Sequence, residues 1–219
     1  ARPRATLLLD EQLELGAFGL RPRAGLLREV QPDRLLALMD KHPFQIVYAG
    51  KAHPHDAPGK AIVREVLKWT QDSRFRDRVA FLEDYDLFTG RLLTSGADVW
   101  LNNPRRPKEA SGTSGQKASL NGGLNLSVLD GWWPEGFDGN NGFAIGDERV
   151  YDSVAEQDAA DAESLYQQLE NAVIPMWEDG EAWAHAARHA VKTCGPLFNS
   201  HRMVRDYVLQ AYEPLAAER

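Results

Sequence analysis

The sequence is short of cysteine, of long apolar runs and of clustered basic charge, and each shortage narrows what it can encode. One cysteine, Cys194, stands among 219 residues, so no internal disulfide is possible and a reducing compartment is expected. No apolar stretch approaches the roughly 20 residues that span a bilayer, and no signal-peptide pattern opens the chain. A cytoplasmic protein without membrane contact is therefore expected. Lysine and arginine number 25 against 32 acids, for a net charge of -7, and no long basic run occurs. That argues against a nucleic-acid surface, although a local basic patch could still serve a phosphate. The length suffices to bury one large core.

The order of elements is written in the apolar pattern. Residues 1–31 read as an irregular N-terminal arm: "RPRATLL" at Arg2–Leu8 is nearly repeated as "RPRAGLL" at Arg21–Leu27, each with proline between two arginines. From Pro32 the signal sharpens, and residues 32–219 read as one domain. "DRLLALMDKH" has helical spacing, and "FQIVYAG" is a buried strand ending in glycine. A helix from Ala57, a strand at Val79–Leu82, a helix stopped by Gly96, the strand "DVWLNN", a helix over Gly115–Asn121, and the strands "LNLSV" and "GFAI" follow. Three helices are expected after that, over Ala159–Val173, Glu181–Thr193 and His201–Ala211. The alternation predicts an α/β fold: a doubly wound, mostly parallel, Rossmann-like sheet with C-terminal helices. In such sheets ligands gather beyond the carboxyl ends of the strands.

The most informative stretch is "EASGTSGQK", Glu109–Lys117. A loop of glycine, threonine and serine entering a helix presents unpaired backbone N–H groups and a partial positive charge, which together suit an anion. It is neither a Walker A loop, because the glycine–lysine spacing is wrong, nor a dinucleotide glycine motif. A tight turn alone would use the same residues. Lys117 lies about one turn into the helix. It is either a solvated surface lysine or an amine directed back toward an anion on the loop, a geometry suited to a Schiff base with a cofactor aldehyde.

"YAGKAHPHDAPGKAIVREV", "FLEDYD", the long run from "DVWLNNPRRPKEASGTSGQKASLNGG" to "GFAIGD", and "FNSHRMVRDY" together resemble the C-terminal half of α-glucan (glycogen or maltodextrin) phosphorylases, in their shorter bacterial branch. The resemblance covers roughly Pro32–Pro214. It implies the C-terminal domain of a two-domain glycosyltransferase architecture that depends on pyridoxal 5'-phosphate and splits α-1,4-glucan with inorganic phosphate to give glucose 1-phosphate. By motif, Lys117 is implied as the catalytic-site lysine that anchors the cofactor. Gly112, Thr113 and Ser114 would hold its phosphate, and Tyr85 would pack against its ring. Glu109, Ser111 and Gly112 would contact the glucosyl hydroxyls, a task suited to charge-assisted hydrogen bonds. The resemblance also implies that the N-terminal phosphorylase domain is a missing partner, without which this chain would not turn over glucan.

Besides the absent N-terminal domain, the resemblance breaks at a basic motif, and Gln116 stands where the family usually has methionine, a harmless change. The family's arginine- and lysine-rich motif corresponds here to "GAFGLRPRAGLL", Gly16–Leu27, where Pro22 takes the lysine position and Arg21 and Arg23 remain. Two adjacent phosphates need cations, and Lys51 is a partial substitute. Two rival readings stand beside this one. One is a non-catalytic domain that keeps the fold and binds glucan or a protein partner. The other is a nucleotide-sugar glycosyltransferase half, which Lys117 disfavours. Other features read blandly. "HPHD" (His53–Asp56) and the His185/His189 pair lack the further ligands of a metal site. Trp132–Trp133 suits sugar stacking and packing equally. Arg105–Arg106 reads as loop surface, and Asp147–Glu163 as a solvated acidic connection.

Overall fold

The computed structural model describes residues 5–10, 31–50, 52 and 54–217. Six strands form one parallel sheet: β1 Ala5–Asp10, β2 Phe44–Ala49, β3 Val79–Leu82, β4 Val99–Asn102, β5 Leu124–Val128 and β6 Gly142–Ile145. Their order is β3-β2-β1-β4-β5-β6, and every pairing is parallel. The order reverses between β1 and β4, the switch point of a doubly wound α/β sheet. The expected fold class is therefore observed.

One element departs from the sequence reading. Residues 5–10 are not part of an irregular arm but a central strand, paired Ala5–Asp10 to Phe44–Ala49 on one side and Leu7–Leu9 to Val99–Leu101 on the other. The flanking Arg-Pro-Arg repeat hides it. A strand is decided by its neighbours, and these lie some 40 and 90 residues away in the chain. Residues 1–4 and 11–30 of the expected arm lie outside the described residues, and Gln31 is the N-cap of the first helix.

The helices follow from caps and apolar spacing. Helix α1, Pro32–Lys41, opens on proline and buries Leu35, Leu38 and Met39. The Asp56 side chain accepts from Gly59 N and starts α2, Ala57–Gln71. Asp86 does the same from Thr89 N for α3, Leu87–Gly96. Helix α4, Ser114–Leu120, links β4 to β5, and the short α5, Trp133–Gly136, links β5 to β6. Helix α6, Val154–Gln168, begins five residues before its expected start, because Ser153 caps Glu156 N in a Ser-x-x-Glu box.

A π-helical turn at Leu169–Val173 leads into α7, Ile174–Glu178. A second, at Val208–Tyr212, joins α9, Ser200–Tyr207, to α10, Glu213–Ala217. Each turn stands just before a proline, Pro175 or Pro214. A proline ring collides with the carbonyl four residues back, and the wider turn opens the helix there. Between α7 and α9 runs the longest helix, α8, Gly180–Leu197.

The main core packs α1, α2, α6 and α8 against the sheet through residues such as Val66, Phe75, Leu126, Ile145 and Ala190. A smaller cluster of Ala97, Trp100 and Ala118 seats α3 and α4 near β4. None of the described helices is long and apolar enough to cross a membrane.

Candidate active site

The glycine-rich loop leaves β4, one of the two strands that flank the switch point, and enters α4. Two buried polar side chains fix where that helix sits. Trp100 Nε1 on β4 donates to Ser114 Oγ at 3.2 Å. Asn125 Nδ2 on β5 donates to Gly115 O at 3.0 Å and to Ser119 Oγ at 2.7 Å. A Cβ on Gly115 would strike Asn125 Oδ1, so only glycine lets the first turn of α4 lie this close to the sheet.

The loop itself is pinned around Glu109. Asn102 Nδ2, at the end of β4, donates to Glu109 Oε2 at 2.9 Å, and Glu109 N donates to the Asp130 carboxylate at 2.9 Å. Trp132 N donates to Ser111 O at 3.0 Å. Gly131, at φ 58°, presses on that same stretch, and a Cβ there would strike Ser111 O. Gly112 takes φ 76°, and a Cβ on it would stand 3.0 Å from Glu109 Oε1. Glu109, Ser111 and Gly112, expected from their motif to share a ligand, are thus gathered with Asn102, Asp130 and Gly131. The last three come from two strand ends that the sequence marks only as polar or small.

Thr113 precedes α4 but makes no side-chain cap, and the first backbone bond of the helix is Lys117 N to Thr113 O at 3.1 Å. Among the described residues nothing accepts from the N–H groups of Ser114, Gly115 and Gln116. Helices α2, α3, α6, α8 and α9 are capped by Asp56, Asp86, Ser153, Asp179 and Asn199. The first turn of α4, like that of α1, thus has no side-chain cap. Lys117 is exposed on α4, and among the described residues no hydrogen bond or ion pair reaches its ammonium. Tyr85, half-buried beyond β3, lies against Gly90 of α3, and α3 packs beside α4. Lys51, His53 and residues 16–27, with Arg21, Pro22 and Arg23, lie outside the described residues.

Several side chains have other work than the sequence suggested. Trp132 and Trp133 are buried among Phe137, Phe198 and Cys194, and Trp133 Nε1 donates to Phe143 O at 3.2 Å, so the pair is packing and not a sugar platform. Arg105 is not loop surface: Nε and Nη2 form a two-pronged contact with Asp158 at 2.7 and 2.6 Å. The acidic stretch is solvated at Asp147, Glu148, Asp152, Glu156 and Glu163, as expected, but Asp158 and Asp161 are buried on α6. Burial, helped by nearby Asp158 and Asp147, pushes the Asp161 carboxyl up to about 6. His189 Nε2 pairs with Asp138 Oδ2 at 2.7 Å, with His185 stacked beside it.

An open parallel sheet with a glycine-rich loop at its switch point defines a doubly wound, Rossmann-like unit. Sequence comparison gives the family. The model of carbohydrate phosphorylases matches residues 30–135. The chain is 47% identical over 178 residues to a maltodextrin phosphorylase of Thermococcus litoralis, covering 81% of this chain and 21% of that protein. It is 45% identical over 184 residues to a glycogen phosphorylase of Aquifex aeolicus, covering 81% and 26%. A glycogen phosphorylase of Mycobacterium tuberculosis is 46% identical over 196 residues, covering 84% and 22%. The chain belongs to the carbohydrate phosphorylase family, and it spans between about a fifth and a quarter of the length of these relatives.

Proposed function

We propose that the chain is the cofactor- and glucosyl-binding half of a cytoplasmic α-glucan phosphorylase. It works together with an N-terminal phosphorylase domain, taking α-1,4-glucan and inorganic phosphate to glucose 1-phosphate. The observation that carries this reading is the arrangement of Glu109–Lys117: a carboxylate clamped by Asn102, then an uncapped helix start, then an exposed amine one turn on.

The donor set fits pyridoxal 5'-phosphate. The N–H groups of Ser114, Gly115 and Gln116, with the Thr113 hydroxyl and the backbone at Gly112, offer a dianion several donors and the positive end of the α4 dipole. Lys117 supplies the amine that an aldehyde needs for anchorage. Tyr85 offers an aromatic face on the same side of the sheet. When bound, the cofactor supplies a phosphate that exchanges a proton with the substrate phosphate.

The remaining work falls to this chain's own groups. Glu109 accepts from glucosyl hydroxyls, and its orientation is held by Asn102 behind it. Ser111 and the Gly112 backbone add neutral hydrogen bonds to the sugar. Gly131 and Trp132 hold Ser111 from below through its carbonyl. Arg21, Arg23 and Lys51 are the cations available to offset paired phosphates.

Lys117 supplies the test. Purified chain is mixed with pyridoxal phosphate, its absorption spectrum is recorded, the mixture is reduced with borohydride, and the labelled peptide is mapped. A label concentrated on Lys117, and lost in Lys117→Ala, is the expected result. Labelling scattered over surface lysines, or none, would overturn the assignment of the cofactor site.

A further inference from the structure

We propose that Arg105 and Asp158 are positioning residues for the Glu109 carboxylate: a two-pronged ion pair that fixes the entrance of the glycine-rich loop to α6. Their importance for sugar binding rests on the function proposed above, but the positioning itself does not.

The geometry is a short turn pinned at both ends. Lys108 N donates to Arg105 O at 2.9 Å, closing Arg105–Lys108 into a turn that delivers Glu109. At the near end, the Arg105 guanidinium meets both oxygens of Asp158, 53 residues away in sequence. Gln157, its neighbour on α6, donates through Nε2 to Arg106 O at 3.2 Å. At the far end, Glu109 N is held by Asp130 and its carboxylate by Asn102. The pair is well shielded, with the Asp158 side chain 11% exposed and that of Arg105 23%.

Chemistry explains why this pair suits the task. The loop must present a carboxylate to a neutral sugar without help from regular structure, because residues 103–113 form neither helix nor strand. A guanidinium fork fixes angle as well as distance, where an ammonium would fix only distance. The contact ties the loop to a helix that otherwise belongs to the main core through Ala162, Leu165 and Tyr166. Rigidity of that core is thereby passed to Glu109.

A purely structural ion pair and a positioning one respond differently to removal. Replacing both charges together leaves no charge buried and is often neutral for stability. Arg105→Met/Asp158→Leu is therefore the informative variant, beside the single Asp158→Asn. Hydrogen exchange read by mass spectrometry over residues 105–114, together with a thermal melt, decides. The double variant should melt close to the parent yet exchange at least roughly tenfold faster over 105–114, with β5 and β6 unchanged. Unchanged loop exchange in a stable double variant would overturn the proposal, as would acceleration spread evenly over the sheet. Glucose 1-phosphate titrated into parent and double variant, each with pyridoxal phosphate, separates the two readings. If the parent binds, the double variant should bind it at least roughly tenfold more weakly. If the parent does not bind, the proposed function of the chain fails, and the exchange result still decides the clamp.

Discussion

Two regions of the described chain are built on opposite terms. At the switch point, every residue of β4 and β5 is buried, and the loop and helix between them are held by side chains from both strands. In the C-terminal arm, residues 200–217, no residue is buried, and Tyr207, Tyr212 and Leu215 are 55%, 63% and 62% exposed. One region is over-determined by packing, and the other is held by local bonds along its own helix. Candidate chemistry sits in the first. A carboxylate placed to within a fraction of an ångström needs a frame that does not move.

The largest effect expected from this contrast is at Trp133. It is fully buried, it stacks at a tilt on Trp132 and Phe137, and its indole nitrogen is satisfied by Phe143 O. Trp133→Ala should cost about 3–5 kcal/mol in a denaturant titration. A loss below about 1 kcal/mol would show that the strand β5 to β6 connection is not anchored as described.

A middle-sized effect is expected at Asp161, and its sign follows from burial. The carboxyl ordinarily titrates near 3.8, and in the folded chain it is raised to about 6. The folded state thus holds this proton more tightly than the unfolded state. Stability from this group is present below the lower value and is lost as pH rises toward 6. Above about pH 6 the buried charge costs on the order of 3 kcal/mol. Asp161→Asn should match the parent near pH 4 and exceed it by about that amount at pH 8, measured by urea unfolding at both pH values. Equal stability at pH 8 would mean that water reaches the carboxylate.

Much of this was legible in the sequence, for reasons that can be located. The strands β2–β6 show as short apolar runs stopped by glycine, asparagine or an acid, and each is found where its run predicts. Glu109–Lys117 stood out because glycine, hydroxyl and charge rarely crowd together just after a strand. What stayed hidden is non-local. Strand β1 is fixed by partners on both sides and was masked by the Arg-Pro-Arg repeat. The Arg105–Asp158 pair spans 53 positions, and nothing near Arg105 announces its partner. The two tryptophans were ambiguous because stacking on a sugar and stacking on Phe198 call for the same residue.

The smallest effect is expected in the arm, and it tests the other side of the comparison. Helix α9 begins with the Asn199 side chain accepting from Arg202 N and carries an Arg202–Asp206 ion pair at 3.0 Å across one turn. Such partly exposed pairs contribute about 0.3–0.5 kcal/mol. Since no side chain of the arm is buried, Tyr212→Ser combined with Leu215→Ser should change global stability by less than about 0.5 kcal/mol. A loss above about 1 kcal/mol would mean that the arm is covered in solution. A loss that grows with protein concentration would identify the cover as a second copy of the chain, because only association makes folding stability depend on concentration.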